Sequence, residues 1–110
     1  MTSYTDKNGV EIKVGDIVKY HEAHIDDSEY SSIDEIVDVN HDGELWGVER
    51  VGRLHNNCDW QLRDDWAPCE LMYYAEELTD TKVDSVEIIG NVKDNPEMLT
   101  IAYAESLFKD

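Results

Sequence analysis

Apolar and polar positions alternate near the start of the chain. Val10, Ile12 and Val14 are separated by Glu11 and Lys13, the two-residue period of a half-buried strand, and after a break at Gly15-Asp16 the run Ile17-Val18-Lys19-Tyr20 predicts the next strand. Asp6-Lys7-Asn8-Gly9 ahead of them reads as a tight turn, because Asn and Gly tolerate the positive φ that a sharp reversal requires. Residues 21–32 are polar, show no period and carry Asp26, Asp27 and Glu29, which predicts an exposed loop. Residues 33–39 and 45–51 are rich in β-branched side chains and flank Asn40-His41-Asp42-Gly43, so they predict a hairpin.

The second half of the chain is less regular. Residues 52–65 mix Leu54, Trp60 and Leu62 with polar positions and predict a loop with one short strand. Pro68 suits a first helical position, and Leu71, Tyr74, Ala75 and Leu78 recur at helical spacing, predicting a short middle helix over 68–78. Val83, Val86, Ile88 and Ile89 predict a buried strand ending at Gly90. Asn95-Pro96 then opens a C-terminal helix whose Leu99, Ala102, Tyr103, Ser106 and Leu107 form one stripe. Together these elements make one α+β domain, mainly β, spanning residues 1–110.

Composition sharpens the picture. Leu, Ile, Val and Phe occupy 26 of 110 positions, above the ~20% below which disorder is expected. Nine basic residues face 26 acidic ones, giving −17 at pH 7, and the acids divide evenly between the two halves of the chain. The charge is therefore a field over the whole molecule rather than an acidic tail. That excludes direct nucleic-acid binding, which is driven by clustered Lys and Arg, and it opposes an anionic membrane surface. No stretch approaches the ~18 apolar residues of a membrane helix, and the first residues lack the pattern of a signal peptide. The expected location is the cytoplasm, where Cys58 and Cys69 stay reduced.

Two stretches in order carry a family resemblance. Asp6-Lys7-Asn8-Gly9-Val10-Glu11-Ile12 with Gly15-Asp16-Ile17-Val18-Lys19, and Val86-Glu87-Ile88-Ile89-Gly90-Asn91-Val92 with Asn95-Pro96-Glu97-Met98-Leu99, resemble the opening and closing signatures of the YopX family of bacteriophage and prophage proteins. The resemblance implies a small strongly bent antiparallel sheet or SH3-like barrel with a short middle helix and a C-terminal helix, in a bacterial host cell. It implies no activity and no catalytic residues. The matched Gly9, Gly15, Asp16, Gly90, Asn91, Asn95 and Pro96 read as turn and cap residues.

The sharpest chemical string is Asp38-Val-Asn40-His-Asp42-Gly43 followed by Glu49, which matches the calcium-loop spacing with oxygen ligands Asp38, Asn40, Asp42 and Glu49. Its flanks are β-type where an EF-hand needs helices, so a plain hairpin turn is the preferred reading. His55 and Cys58 with Cys69 and one of His21, His24 or His41 lack the paired spacing of a structural zinc site. No nucleophile has a base at a recognisable spacing, and adjacent acid pairs such as Asp26-Asp27 diverge on strands and helices alike. The expectation is a non-enzymatic protein with no cofactor.

What remains is the charge. A domain of this size with 26 carboxylates reproduces the charge density of one to two turns of duplex. The leading expectation is a protein that binds a basic, nucleic-acid-binding groove of a host DNA- or RNA-handling protein, as a DNA mimic acting against host defence, through Asp26, Asp27, Glu29, Asp34 and Asp38. The alternatives are a phage accessory or assembly module for which charge is incidental, and a calcium-binding module over residues 38–49.

Overall fold

A computed structural model describes residues 4–23, 29–40, 44–54, 60–62, 69–72 and 82–107. Its strands are β1 (Asp16–Ala23), β2 (Glu29–Asn40), β3 (Glu44–Leu54), β4 (Gln61–Leu62), β5 (Cys69–Met72) and β6 (Val86–Asn91). A 3₁₀ turn (Pro96–Leu99) and one helix, α1 (Ile101–Leu107), follow. All strand pairings are antiparallel, in the order β4-β3-β2-β1-β6, with β5 sharing the outer edge of β3. Among the described residues the two ends of this path do not pair, so the sheet is open and not a closed barrel.

The predicted hairpin is present: Ile33 opposes Val51 and Val39 opposes Leu45. Val37 and Arg50 have no partner in that ladder, and these two bulges bend it. The tip, residues 41–43, lies outside the described residues. The loop expected over 21–32 is shorter than predicted, because β1 runs on to Ala23 and β2 begins at Glu29. Pairing of His21–Ala23 with Glu29–Ser31 of β2, which β3 holds from its other side through Tyr30 and Ser31, outweighs the weak strand propensity of that polar stretch. His24 to Ser28 lie outside the described residues.

Both faces of the sheet are covered, by the two ends of the chain. On one face Tyr4, Ile12, Val18, Ile36, Leu45, Val83 and Val86 pack together. On the other, Ile17, Ile33, Val51 and Trp60 pack with Ala104 of α1. Adjacent Ile17 and Val18, each fully buried, thus serve opposite cores, and burying such a side chain contributes about 1.5–3 kcal/mol.

The alternation of Val10, Ile12 and Val14 does not make a strand. Ile12 is buried beside Tyr4, to whose carbonyl it donates, while Val10 and Val14 stand exposed. Glycines with φ +82° and +95°, Gly9 and Gly15, close the segment at either end. Residues 4–12 instead form a strap along β6: Lys7 N–H donates to Val86 O, and Val83 N–H donates to Thr5 O.

Two helix expectations are corrected. Cys69–Met72, the first turn of the expected middle helix, is strand β5 against Leu45–Gly47 of β3. Four residues are too short a run for its periodicity to separate helix from strand, and pairing with an available edge decides it. Residues 73–78 lie outside the described residues. At the C-terminus Thr100 is extended and divides the expected single helix in two. Its hydroxyl donates to Glu97 O and accepts the Tyr103 N–H, capping α1. The buried face of α1 is centred on Ala104, leaving Ala102 and Ser106 exposed. The 3₁₀ turn presses on β6 at Gly90, where a Cβ would stand 2.5 Å from Met98 Sδ.

Candidate functional site

Two buried carboxylate centres stand out, one at the strap and one within the hairpin. Asp6 is 1% exposed. Its Oδ1 accepts the N–H groups of Asn8 and Val10, and its Oδ2 that of Ile88, each at 2.9 Å. One side chain therefore closes its own turn and ties it to β6, 82 residues away. Burial alone would raise this carboxyl, but the three backbone donors, with Lys7 nearby, hold it below the ordinary aspartate value.

The second centre lies on the sheet face packed by Val18 and Ile36. Ser32, Asp34 and Glu49 are buried there, with Asp34 2% and Glu49 3% exposed. Asp34 and Glu49 are direct partners in the β2–β3 ladder, an arrangement that places their side chains on one face. Ser32 donates its hydroxyl to Asp34 Oδ1. The Glu49 carboxylate lies over Gly52, with Oε1 where a Cβ would otherwise stand, so glycine at 52 makes its room. Burial pushes Asp34 up to about 6 against the opposing effect of the Ser32 hydroxyl. On the reverse face the bulged Arg50 reaches Glu35 through Nε at 3.0 Å and Nη2 at 2.5 Å.

The residues expected to form an acidic face are not gathered into one. Asp34 is a core residue, because alternation along β2 sets it beside Ser32 and Ile36 on a covered face. Glu29 and Asp38 occupy opposite ends of β2, nine positions and roughly 30 Å apart, with Asp38 exposed. Asp26 and Asp27 lie outside the described residues. The calcium-loop spacing is likewise pulled apart by the strands. Asp38 opposes Trp46 and Asn40 opposes Glu44, while Glu49 is turned inward opposite Asp34, four positions and about 13 Å along β2 from Asp38. Asp42 lies outside the described residues, as do His24, His41, His55 and Cys58. Among the described residues no three His, Cys, Asp or Glu side chains converge as metal ligands, and no helix is long and apolar enough to cross a membrane.

Sequence reasoning does not find Asp6 and Glu49 as buried centres. For Asp6 a signal exists, since an aspartate opening an Asp-x-Asn-Gly turn can accept from the backbone two and four residues on. For Glu49 the pointer is Gly52 three residues later in a strand, a glycine that marks close approach by another group.

A family model described as YopX protein matches residues 1–100. No curated protein and no solved structure matches the chain.

Proposed function

The chain belongs to the YopX family, a phage-type family of unclear role, and from that premise we propose that it is a binding protein whose acidic surface docks into a basic, nucleic-acid-binding groove of a host protein in the bacterial cytoplasm. The role is recognition rather than catalysis. The observation that supports it is charge density. Duplex DNA carries one charge per ~1.7 Å of axis, so a segment matching the 38 Å long dimension of this protein carries about 22 charges. The protein has 26 carboxylates against nine basic residues, a net of −17; with Asp6, Asp34 and Glu49 buried, at most 23 carboxylates face outward over the same length, partly offset by those nine bases. The described exposed acids, Glu11, Asp38, Asp84, Asp94, Glu97 and Glu105, lie on the strap, the hairpin, the approach to β6 and the C-terminal segment. They are spread over the body and do not form one pocket.

The test is capture from a bacterial lysate on immobilised protein, with and without duplex DNA, at low and high salt. The expected prey is a nucleic-acid-binding protein that duplex DNA displaces and high salt releases. Changing those six exposed acids to their amides should weaken its capture while leaving the fold intact. Prey that are salt-resistant and indifferent to DNA would overturn the reading in favour of an accessory or assembly module.

A further inference from the structure

We propose that Asn8-Gly9 is a self-modifying latch: spontaneous loss of the Asn8 side-chain amide, gated by the Asp6 hydrogen bonds, irreversibly loosens residues 4–12 from the edge of β6. Of the chain's asparagines, Asn8 alone precedes a glycine. Glycine leaves its backbone nitrogen unhindered, and nothing lies within 4 Å of where a Gly9 Cβ would be. Asn8 and Gly9 are both exposed.

The chemistry requires only water. The deprotonated Gly9 nitrogen attacks Asn8 Cγ, the new N–C bond closes a five-membered imide, and the side-chain nitrogen leaves as ammonia. Water then adds to one imide carbonyl and breaks one C–N bond, giving aspartate or, where the chain is rerouted through the side chain, isoaspartate. No redox partner is involved.

The fold controls both the entry to this reaction and its effect. In the closed turn Gly9 N–H donates to Asp6 O at 3.0 Å, and Asn8 N–H donates to Asp6 Oδ1 at 2.9 Å. The nitrogen is released for attack only when this turn opens. The Asn8 amide also donates to Glu87 Oε2 at 3.5 Å, and either product replaces that donor with a carboxylate facing Glu87. Isoaspartate further lengthens the backbone by one methylene between two groups, Asn8 N–H and Val10 N–H, that share Asp6 Oδ1. The turn then cannot re-form, and the Asp6 contact to Ile88 N–H goes with it.

The experiment ages the native protein in mildly alkaline buffer. Peptide mass mapping with isoaspartate detection follows Asn8, and hydrogen exchange follows the Ile88 amide. Parallel samples are the urea-unfolded chain, Asp6→Asn and Asn8→Gln. Asn8 should convert in the native protein at least an order of magnitude faster than Asn91 and Asn95. Conversion should be faster still in Asp6→Asn and in urea, and protection at Ile88 should fall in step with it. Asn8→Gln should keep Ile88 protection on ageing. Survival of the native Asn8 amide while the unfolded chain converts fully would overturn the proposal, as would conversion that leaves Ile88 protection unchanged. If Asp6→Asn does not fold, the comparison of native wild type with Asn8→Gln separates the same two outcomes.

Discussion

Replacing Asp34 by Asn should remove a component of this protein's stability that rises as the pH falls. Asp34 sits on the central strand β2, 2% exposed, and its carboxyl is raised from 3.8 to about 6 by burial. A group whose folded value lies above its unfolded value holds its proton more tightly in the native state. The ionised form therefore costs stability at neutral pH, and that cost disappears as pH falls through 6 toward 3.8. A shift of about two units corresponds to roughly 3 kcal/mol in full, of which about 1.3 kcal/mol should be recovered between pH 7 and pH 5. Asn keeps an oxygen for the Ser32 hydroxyl and cannot ionise. Its buried NH₂ costs about 1–2 kcal/mol, so the variant should exceed wild type by about 1–2 kcal/mol at pH 7–8 and draw roughly level with it by pH 5. The assay is urea denaturation of both proteins at pH 8, 7, 6 and 5, read as the difference between them so that general relief of charge repulsion cancels. A difference that stays constant within about 0.3 kcal/mol across that range, or one that moves in favour of the variant as pH falls, would refute the reasoning.

Other substitutions probe the remaining features. Gly52→Ala places a methyl where the Glu49 carboxylate lies, and should cost about 2–4 kcal/mol by urea denaturation; Gly9→Ala, with open space around it but φ +82°, should cost only about 1 kcal/mol. Asp6→Ala strands the Ile88 N–H, and should cost about 1–3 kcal/mol with faster hydrogen exchange at Ile88, Asn8 and Val10. Because the Asp6 carboxyl is held below its ordinary value, its stabilising effect is present above about pH 4 and fades below it. With 17 net negative charges, the melting temperature should rise on going from low salt to about 0.5 M sodium chloride, where the Debye length is only a few ångströms; an unchanged or lower melting temperature would show that self-repulsion is negligible.

The hairpin, β1 and β6 are legible because β-branched residues cluster there between clear turn signals. Ile33, Ile36, Val39, Leu45 and Val51 behave as their residue types suggest. β5 is not legible, since four residues with one apolar pair specify neither helix nor strand until an edge of β3 is on offer. The double-sided burial is also hidden. Alternation shows which residues share a face, but it cannot show that both faces are covered, because the covers are the strap and α1, placed by contacts distant in sequence. Asp34 misleads for that reason: an acid in a strand reads as the solvent side, whereas here its companions Ser32 and Ile36 are buried. Asp16, the first residue of β1, closes the turn ahead of it as its type suggests, its carboxylate accepting the Lys13 N–H.

The 82-residue separation between Asp6 and Ile88 bears on how the protein is made. A chain leaves the ribosome at ~5–20 residues per second, N-terminus first. The β1–β2–β3 meander can assemble as soon as its own residues emerge. The strap has to wait roughly 4–16 s for β6, and until then Asp6 Oδ2 lacks the Ile88 N–H that it accepts in the fold. Closing a segment of that length costs about 4 kcal/mol of chain entropy, which the Asp6 and Lys7 bonds to Ile88 and Val86 offset only once β6 is in place. The strap, made before the sheet edge it binds, is among the last parts to find its position.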